Sequence, residues 1–193
     1  MNLPNKLTIL RILMIPVFVA IFYITAIPFN FIISAVIFAL ASLTDFLDGH
    51  IARKYNMVTD FGKFLDPIAD KVLVSTALIV MIVPPIGTTM LPWYSGIGVA
   101  IIMARELIIS GFRLVAAGKG LVIAADFSGK LKTFVTDIAI LVILVTGDII
   151  KLVPSISNLL LIVNTVLLGV SVLLTIISGV ECLVKNKKVI SSK

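Results

Sequence analysis

Six apolar segments, each near or above the length of a membrane span, run through this chain: about Leu7–Ala26, Phe29–Gly49, Phe61–Val83, Pro92–Ala116, Leu131–Ile149 and Ile156–Val184. About 20 apolar residues in a helix cross the hydrocarbon core of a bilayer, and a backbone in lipid has to satisfy its own hydrogen bonds. Helices are therefore the expected state of all six. Turn signals separate them at Ile27-Pro28, Pro84-Pro85-Ile86-Gly87, Gly118-Lys119-Gly120, Gly147-Asp148 and Pro154-Ser155. Composition points the same way. Of the 193 residues 60% are hydrophobic and 13% charged, with a mean hydropathy of +1.19. An ordinary soluble protein has about 25% charged residues, and a soluble domain of this length could not hide so much apolar surface. The expected fold class is an all-α integral membrane protein of six transmembrane helices with a cytoplasm-facing polar active site. It is read as a single domain over 1–193, with 1–6 as a juxtamembrane N-terminus and 185–193 as a basic cytoplasmic tail. The first segment has the charge and hydropathy of a signal peptide. It lacks a small-x-small cleavage site and is too long, so it is expected to be retained. The single cysteine, Cys182, excludes a disulfide within the chain.

The net charge is +6, with a pI of about 9.6. In a soluble protein that balance would suggest nucleic acid; here the basic residues sit in short loops, and no nucleic-acid partner is expected. With both termini inside, the inner side carries Lys6, Arg11, Arg53, Lys54, Lys63, Arg113, Lys119, Lys130, Lys132 and the Lys185–Lys193 tail, while the outer loops carry only Lys151. The asymmetry fits the positive-inside rule and an even number of spans. The basic tail also suits anionic lipid headgroups.

Four aspartates break this apolar pattern: Asp45, Asp48, Asp66 and Asp70. The first pair shares a helix face, and Gly62, Asp66 and Asp70, spaced by four, share another. Two antiparallel neighbouring helices would bring both pairs together near the cytoplasmic surface. A carboxylate at a helix centre in a membrane costs about 2.5–3.5 kcal/mol on insertion scales, and four that converge also repel one another. Bound cations would offset this. Hard oxygen ligands suit Mg²⁺ or Mn²⁺, and four carboxylates suit two such ions in the arrangement used for phosphoryl displacement. Gly49 and Gly62 leave room for a ligand at helix ends, Ala52 is small, and Arg53 offers a fork of donors for a phosphate. The bland alternatives are a packing glycine, a proton relay or a salt-bridge partner.

The pattern D-x-x-D-G-x-x-A-R-x8-G-x3-D-x3-D, filled by Asp45, Asp48, Gly49, Ala52, Arg53, Gly62, Asp66 and Asp70, resembles the CDP-alcohol phosphotransferase family of integral membrane enzymes at every fixed position. The six-segment layout extends the resemblance over the whole chain. It implies a CDP-linked lipid whose diphosphate sits on two divalent ions, an acceptor hydroxyl that attacks the phosphorus nearer the lipid, and CMP as leaving group. It implies Asp45, Asp48, Asp66 and Asp70 as metal ligands, with Asp70 also the general base. Gly49, Ala52, Arg53 and Gly62 would surround the cytidine and diphosphate. A homodimer in a bacterial cytoplasmic membrane is implied as well.

The metal motif does not choose the alcohol. The opening "LPNKLTILRI" resembles the N-x-x-T-x-x-R start of bacterial members of the family that use sn-glycerol 3-phosphate, which implies that Asn5 and Thr8 touch the nucleotide end of CDP-diacylglycerol. The plain reading of that opening is an amphipathic turn with Arg11 snorkelling to the interface. "ARELIISGFR" and "GKLKT" resemble the same subgroup and place Arg105, Arg113, Lys130 and Lys132 around the inner ends of the fourth and fifth segments. Arg105 lies in an apolar run and calls for a partner; Glu106, its sequence neighbour, is expected to face elsewhere on the helix. A basic pocket suits an acceptor that carries its own phosphate. Inositol phosphate or phosphatidylglycerol are the alternative acceptors. More distant alternatives are a membrane prenyltransferase, which would show paired aspartate-rich repeats, and a cation transporter, which would need neither the glycine and Ala-Arg spacing nor the basic pocket. Asp137 reads as a helix-packing partner, His50 as a surface residue, and Trp93 and Tyr94 as interface anchors.

Overall fold

The computed structural model describes residues 2–54, 60–119, 121, 123 and 126–187, with the side chains at 3, 4, 45–54, 60, 61, 63 and 64 outside the description. Six α-helices account for nearly all of it: α1 Leu3–Tyr23, α2 Asn30–Lys54, α3 Asp60–Ile82, α4 Ser95–Gly118, α5 Phe127–Leu152 and α6 Ser157–Lys185. A single 3₁₀ turn, Pro154–Ile156, leads into α6. Among the described residues there is no strand. Every expected apolar segment is a helix.

Among the described residues, three helices are long and apolar enough to cross a membrane by length and composition alone: α1 from Asn5, α5, and α6 with its leading turn. The described apolar stretch of α2, Asn30–Thr44, is shorter. The outer surface has the character of a lipid-facing one. On α6 the buried positions are Asn164, Leu168, Ser171, Thr175, Ser178, Gly179 and Cys182, while Leu159, Ile162, Val166, Leu173, Ile177 and Val184 are exposed. A helix that turns polar and small residues inward and branched aliphatics outward is inverted relative to a soluble amphipathic helix. The protein is an all-α membrane protein.

Helix α1 packs against α2 and α3, α5 against α2 and α6, and α4 mainly against α6. The core between them is aromatic: Phe18, Phe22, Phe31 and Phe38 are fully buried, with Phe22 and Phe31 edge to face at 5.0 Å. Leu73, Ala77 and Met81 of α3 and Ile140 and Ile143 of α5 complete it. One end of the bundle is closed by a polar network. Asn30 Nδ2 donates to Phe22 O at 2.6 Å, Ile32 N–H donates to Asp148 Oδ2 at 2.8 Å, and Lys151 Nζ donates to Asn30 Oδ1 at 2.6 Å. Asp148 thus accepts one of the backbone donors that the start of α2 would leave unpaired.

The Gly147-Asp148 turn expected from the sequence is absent; α5 continues to Leu152. Gly147 is there for contact, not for a turn. A Cβ at that position would sit 2.2 Å from Met90 Cε and 2.8 Å from Phe31 Cδ2. At several other boundaries the helices overrun the expected segments, as where α1 starts at Leu3, α2 runs on to Lys54 and α5 starts at Phe127, while α1 ends short at Tyr23 and α4 starts late at Ser95. Polar residues next to an apolar run extend a helix wherever its backbone can continue, and hydropathy alone does not see them.

Candidate active site

All the expected site residues lie at the end of the bundle opposite the Asn30–Asp148–Lys151 network. This end is made by the start of α1, the end of α2, the start of α3, the later half of α4 and the start of α5. The alternation of helix direction puts these stretches on one side.

On α1, Asn5, Thr8 and Arg11 are spaced by three and are all buried. The first helical turns carry them inward, away from any interface. Thr8, fully buried, donates from Oγ1 to Asp66 Oδ1 at 2.6 Å. Arg11 is 0% exposed, and its Nε donates to Ala41 O at 3.2 Å and Thr44 Oγ1 at 3.3 Å. The plain alternative for this opening, an amphipathic turn with Arg11 snorkelling to the interface, is not what the structure shows. Its guanidinium reaches the carbonyl and hydroxyl of α2 just ahead of Asp45, where a cation inside a bundle finds acceptors that lipid cannot offer. Arg11 was missing from the expected site residues, although its place one turn past Thr8 on the same face was a signal for it.

Helix α3 carries Gly62, which is buried, and then Asp66 and Asp70, both half-buried, on successive turns. The other half of the expected carboxylate set, Asp45 and Asp48, lies with Gly49, Ala52 and Arg53 in the last three turns of α2. Gly49 is therefore inside that helix and not at its end. The side chains of these five, and that of His50, lie outside the described residues. Among the described residues no three His, Cys, Asp or Glu side chains converge.

Asp70 opens into a cavity between α3, α4 and α5. Its inner part is lined by Asp70, Ser75, Met103, Glu106, Lys132 and Thr136. Its outer part, about 480 Å³, is lined by Asp70 and Asp137 together with Arg105, Arg113, Lys130 and Lys132. The structure thus brings the four expected basic residues and Asp70 to one cavity. They differ in state. Lys132 is 5% exposed and is ion-paired with Glu106. Arg105 Nη1 pairs with the same carboxylate at 3.1 Å, and its Nη2 donates to Ser178 Oγ of α6 at 2.9 Å. Arg113 and Lys130 form no ion pair among the described residues, and Lys130 is exposed.

The expectation that Glu106 faces away from Arg105 is corrected. Neighbours on a helix point about 100° apart at Cβ, but the arginine stem is long enough to fold back to the carboxylate. Gly179 on α6 makes that path possible, since a Cβ there would sit 3.0 Å from Arg105 Cγ. Asp137, expected only to pack, lines the same cavity as Asp70.

Chemically the site joins an acidic half, able to hold hard cations, to a basic half, able to hold an anion. Such a pair of subsites suits the transfer of a phosphoryl-linked group to a phosphorylated acceptor. Comparison with known proteins agrees. The family model for CDP-alcohol phosphatidyltransferases matches residues 1–177. The CDP-diacylglycerol–glycerol-3-phosphate 3-phosphatidyltransferase of Bacillus subtilis (strain 168) is 40% identical, over 96% of this chain and 95% of its own. The protein of the same name from Rickettsia bellii (strain RML369-C) is 42% identical, over 92% and 91%. That from Salmonella typhimurium (strain LT2) is 40% identical, over 68% and 70%. With the motif residues on α2 and α3 and a family match across most of its length, the chain belongs to the CDP-alcohol phosphatidyltransferase family.

Proposed function

We propose that the protein transfers the phosphatidyl group of CDP-diacylglycerol to sn-glycerol 3-phosphate, giving phosphatidylglycerol phosphate and CMP. Relatives that share about 40% of their residues with nearly the whole chain carry that reaction in their names. The observation in this chain that supports it is the company Asp70 keeps: Arg113, Lys130 and Lys132 line the same cavity. A phosphate on the acceptor needs such cations beside the reacting hydroxyl. Serine or a neutral lipid alcohol does not.

In this reading Asp70 accepts the proton of an acceptor hydroxyl while the hydroxyl oxygen bonds to the phosphorus nearer the lipid. The bond from that phosphorus to the CMP oxygen breaks, and CMP leaves. Asp45, Asp48, Asp66 and Asp70 would hold two divalent cations, Mg²⁺ or Mn²⁺. The donor set fits them: Asp66 and Asp70 offer hard oxygens from one helix face, and the bond from Thr8 takes only one of about four acceptor positions on the Asp66 carboxylate. When bound, such ions neutralise the diphosphate and the charge developing on departing CMP. Asn5 and Thr8, with Gly49, Ala52, Arg53 and Gly62, surround the cytidine and diphosphate, and Thr8 also orients Asp66. The whole chain acts as one domain, a homodimer in the bacterial cytoplasmic membrane, with six spans and with both termini and the site on the inner side. The excess of Lys and Arg at that end of the bundle supports this orientation.

The test is an acceptor panel. Purified protein with CDP-diacylglycerol and Mg²⁺ should release CMP fastest with sn-glycerol 3-phosphate. A panel won by serine, inositol phosphate or phosphatidylglycerol would overturn the assignment.

A further inference from the structure

Glu106 is out of place in a cavity that serves an anion. It lines both the inner and the outer part of the Asp70 cavity and is 22% exposed there. A carboxylate beside an incoming phosphate repels it, so its presence calls for a task that a neutral residue could not do. The plain explanation is charge balance for Arg105 and Lys132. That explanation leaves half of the carboxylate unaccounted for. Arg105 Nη1 and Lys132 Nζ both meet Glu106 at Oε1, and among the described residues Oε2 has no partner. The cations are themselves held, Lys132 by burial and Arg105 by Ser178 of α6. Glu106 is thereby a fixed, charged hydrogen-bond acceptor in a cavity already furnished with cations and a base.

We propose that Glu106 sets acceptor specificity, its Oε2 accepting a hydrogen bond from the hydroxyl of glycerol 3-phosphate that does not react. The inference rests on the acceptor reading above. It adds a third point of attachment: Arg113 and Lys130 for the phosphate, Asp70 for the reacting hydroxyl, Glu106 for the second hydroxyl. Three contacts from three helices distinguish a molecule from its mirror image, which two cannot do. A site group built to bind a hydroxyl also rejects the analogue without it, because the group is then desolvated with no partner.

The test compares kcat/KM for sn-glycerol 3-phosphate, its enantiomer sn-glycerol 1-phosphate, and 3-hydroxypropyl phosphate, which lacks the second hydroxyl. Full-length protein in mixed micelles with CDP-diacylglycerol and Mg²⁺ is used throughout. Wild type should prefer sn-glycerol 3-phosphate over each analogue by about 10–100-fold. Glu106→Gln keeps the shape but loses the charge, and should shrink that preference by about tenfold, since a charge-assisted bond is roughly twice as strong as a neutral one. KM for CDP-diacylglycerol should stay within about twofold, as uniform binding of the donor is untouched. If Glu106 only balances charge, Glu106→Gln will weaken all three acceptors alike and leave the ratios unchanged, which overturns the inference. The wild-type ratios decide without any variant: a preference below about threefold overturns it too, even if the enzyme is a good glycerol 3-phosphate transferase. CMP release with serine in place of glycerol 3-phosphate would instead overturn the proposed reaction.

Discussion

Thr8 on α1 and Asp66 on α3 are joined by a 2.6 Å hydrogen bond across 58 residues of sequence. Thr8 is fully buried, so its hydroxyl has few other places to go. The bond fixes the rotamer of a carboxylate at the heart of the acidic half of the site. Groups that orient metal ligands from behind commonly matter about 10–100-fold in affinity or activity. Thr8→Val, which keeps the shape and loses the hydroxyl, should raise the Mg²⁺ concentration for half-maximal CMP release by at least about tenfold. Thr8→Ser should restore most of it. A metal titration unchanged in Thr8→Val would show that Asp66 needs no such support.

Asp70 stands one turn beyond Asp66 and alone of the pair reaches the α3–α4–α5 cavity. Loss of a general base costs about 10²–10⁴-fold in rate. Asp70→Asn should lose turnover to that extent and still bind CDP-diacylglycerol in the presence of Mg²⁺. Asp66→Asn should lose binding and turnover together. Near-normal turnover by folded Asp70→Asn would pass the role of base to another group, with Asp137 the carboxylate next to hand in the cavity.

Arg113 and Lys130, with Lys71 of α3, are the cavity cations that form no ion pair among the described residues, and Lys71 Nζ donates instead to Pro67 O. Neutralising either of the first two, as Arg113→Gln or Lys130→Gln, should raise KM for sn-glycerol 3-phosphate by about 5–50-fold, the loss of one charge-assisted hydrogen bond. KM for CDP-diacylglycerol should change little. Equal rises for both substrates would mean that the basic residues serve the donor.

Much of this was legible before any coordinates. The six helices follow from apolar runs that have no other way to satisfy their backbone in lipid, and Asp45, Asp48, Asp66 and Asp70 stand out because each is costly there. What was not legible depends on how helices meet. Gly147-Asp148 reads as a turn by residue type, yet one closes against Met90 and Phe31 while the other accepts from Ile32 N–H of α2. The pairing of Arg105 with Glu106 runs against the rule for helix neighbours because it passes over Gly179 of α6, a residue 74 positions away in sequence. For Arg11 the sequence left an interfacial cation open as the plain alternative, because hydropathy records only that it is charged, and not that Ala41 O and Thr44 Oγ1 accept from it.

The close fit at Gly147 gives a prediction about stability. Gly147→Ala would drive a methyl into Phe31 and Met90, and overpacking of this kind costs about 1–3 kcal/mol. Methionine can swing aside, but the Phe31 ring is held by Phe22 and by the Lys151 ammonium 3.9 Å above it. The thermal midpoint in detergent should fall by several degrees. Gly169→Ala, on a helix face with nothing within 4 Å, is the control and should leave it unchanged or slightly raised. Equal midpoints for the two variants would mean that the α2–α5 contact is slack.

The most direct measurement of the central claim follows the acceptor itself. Purified protein is incubated with CDP-diacylglycerol, Mg²⁺ and sn-glycerol 3-phosphate labelled in its carbon chain, and the label is partitioned between water and organic solvent. The expected result is label in the organic phase as phosphatidylglycerol phosphate, one mole for each mole of CMP, with none in excess EDTA. Label that stays in water while CMP is released, or full transfer in the presence of EDTA, would contradict the account.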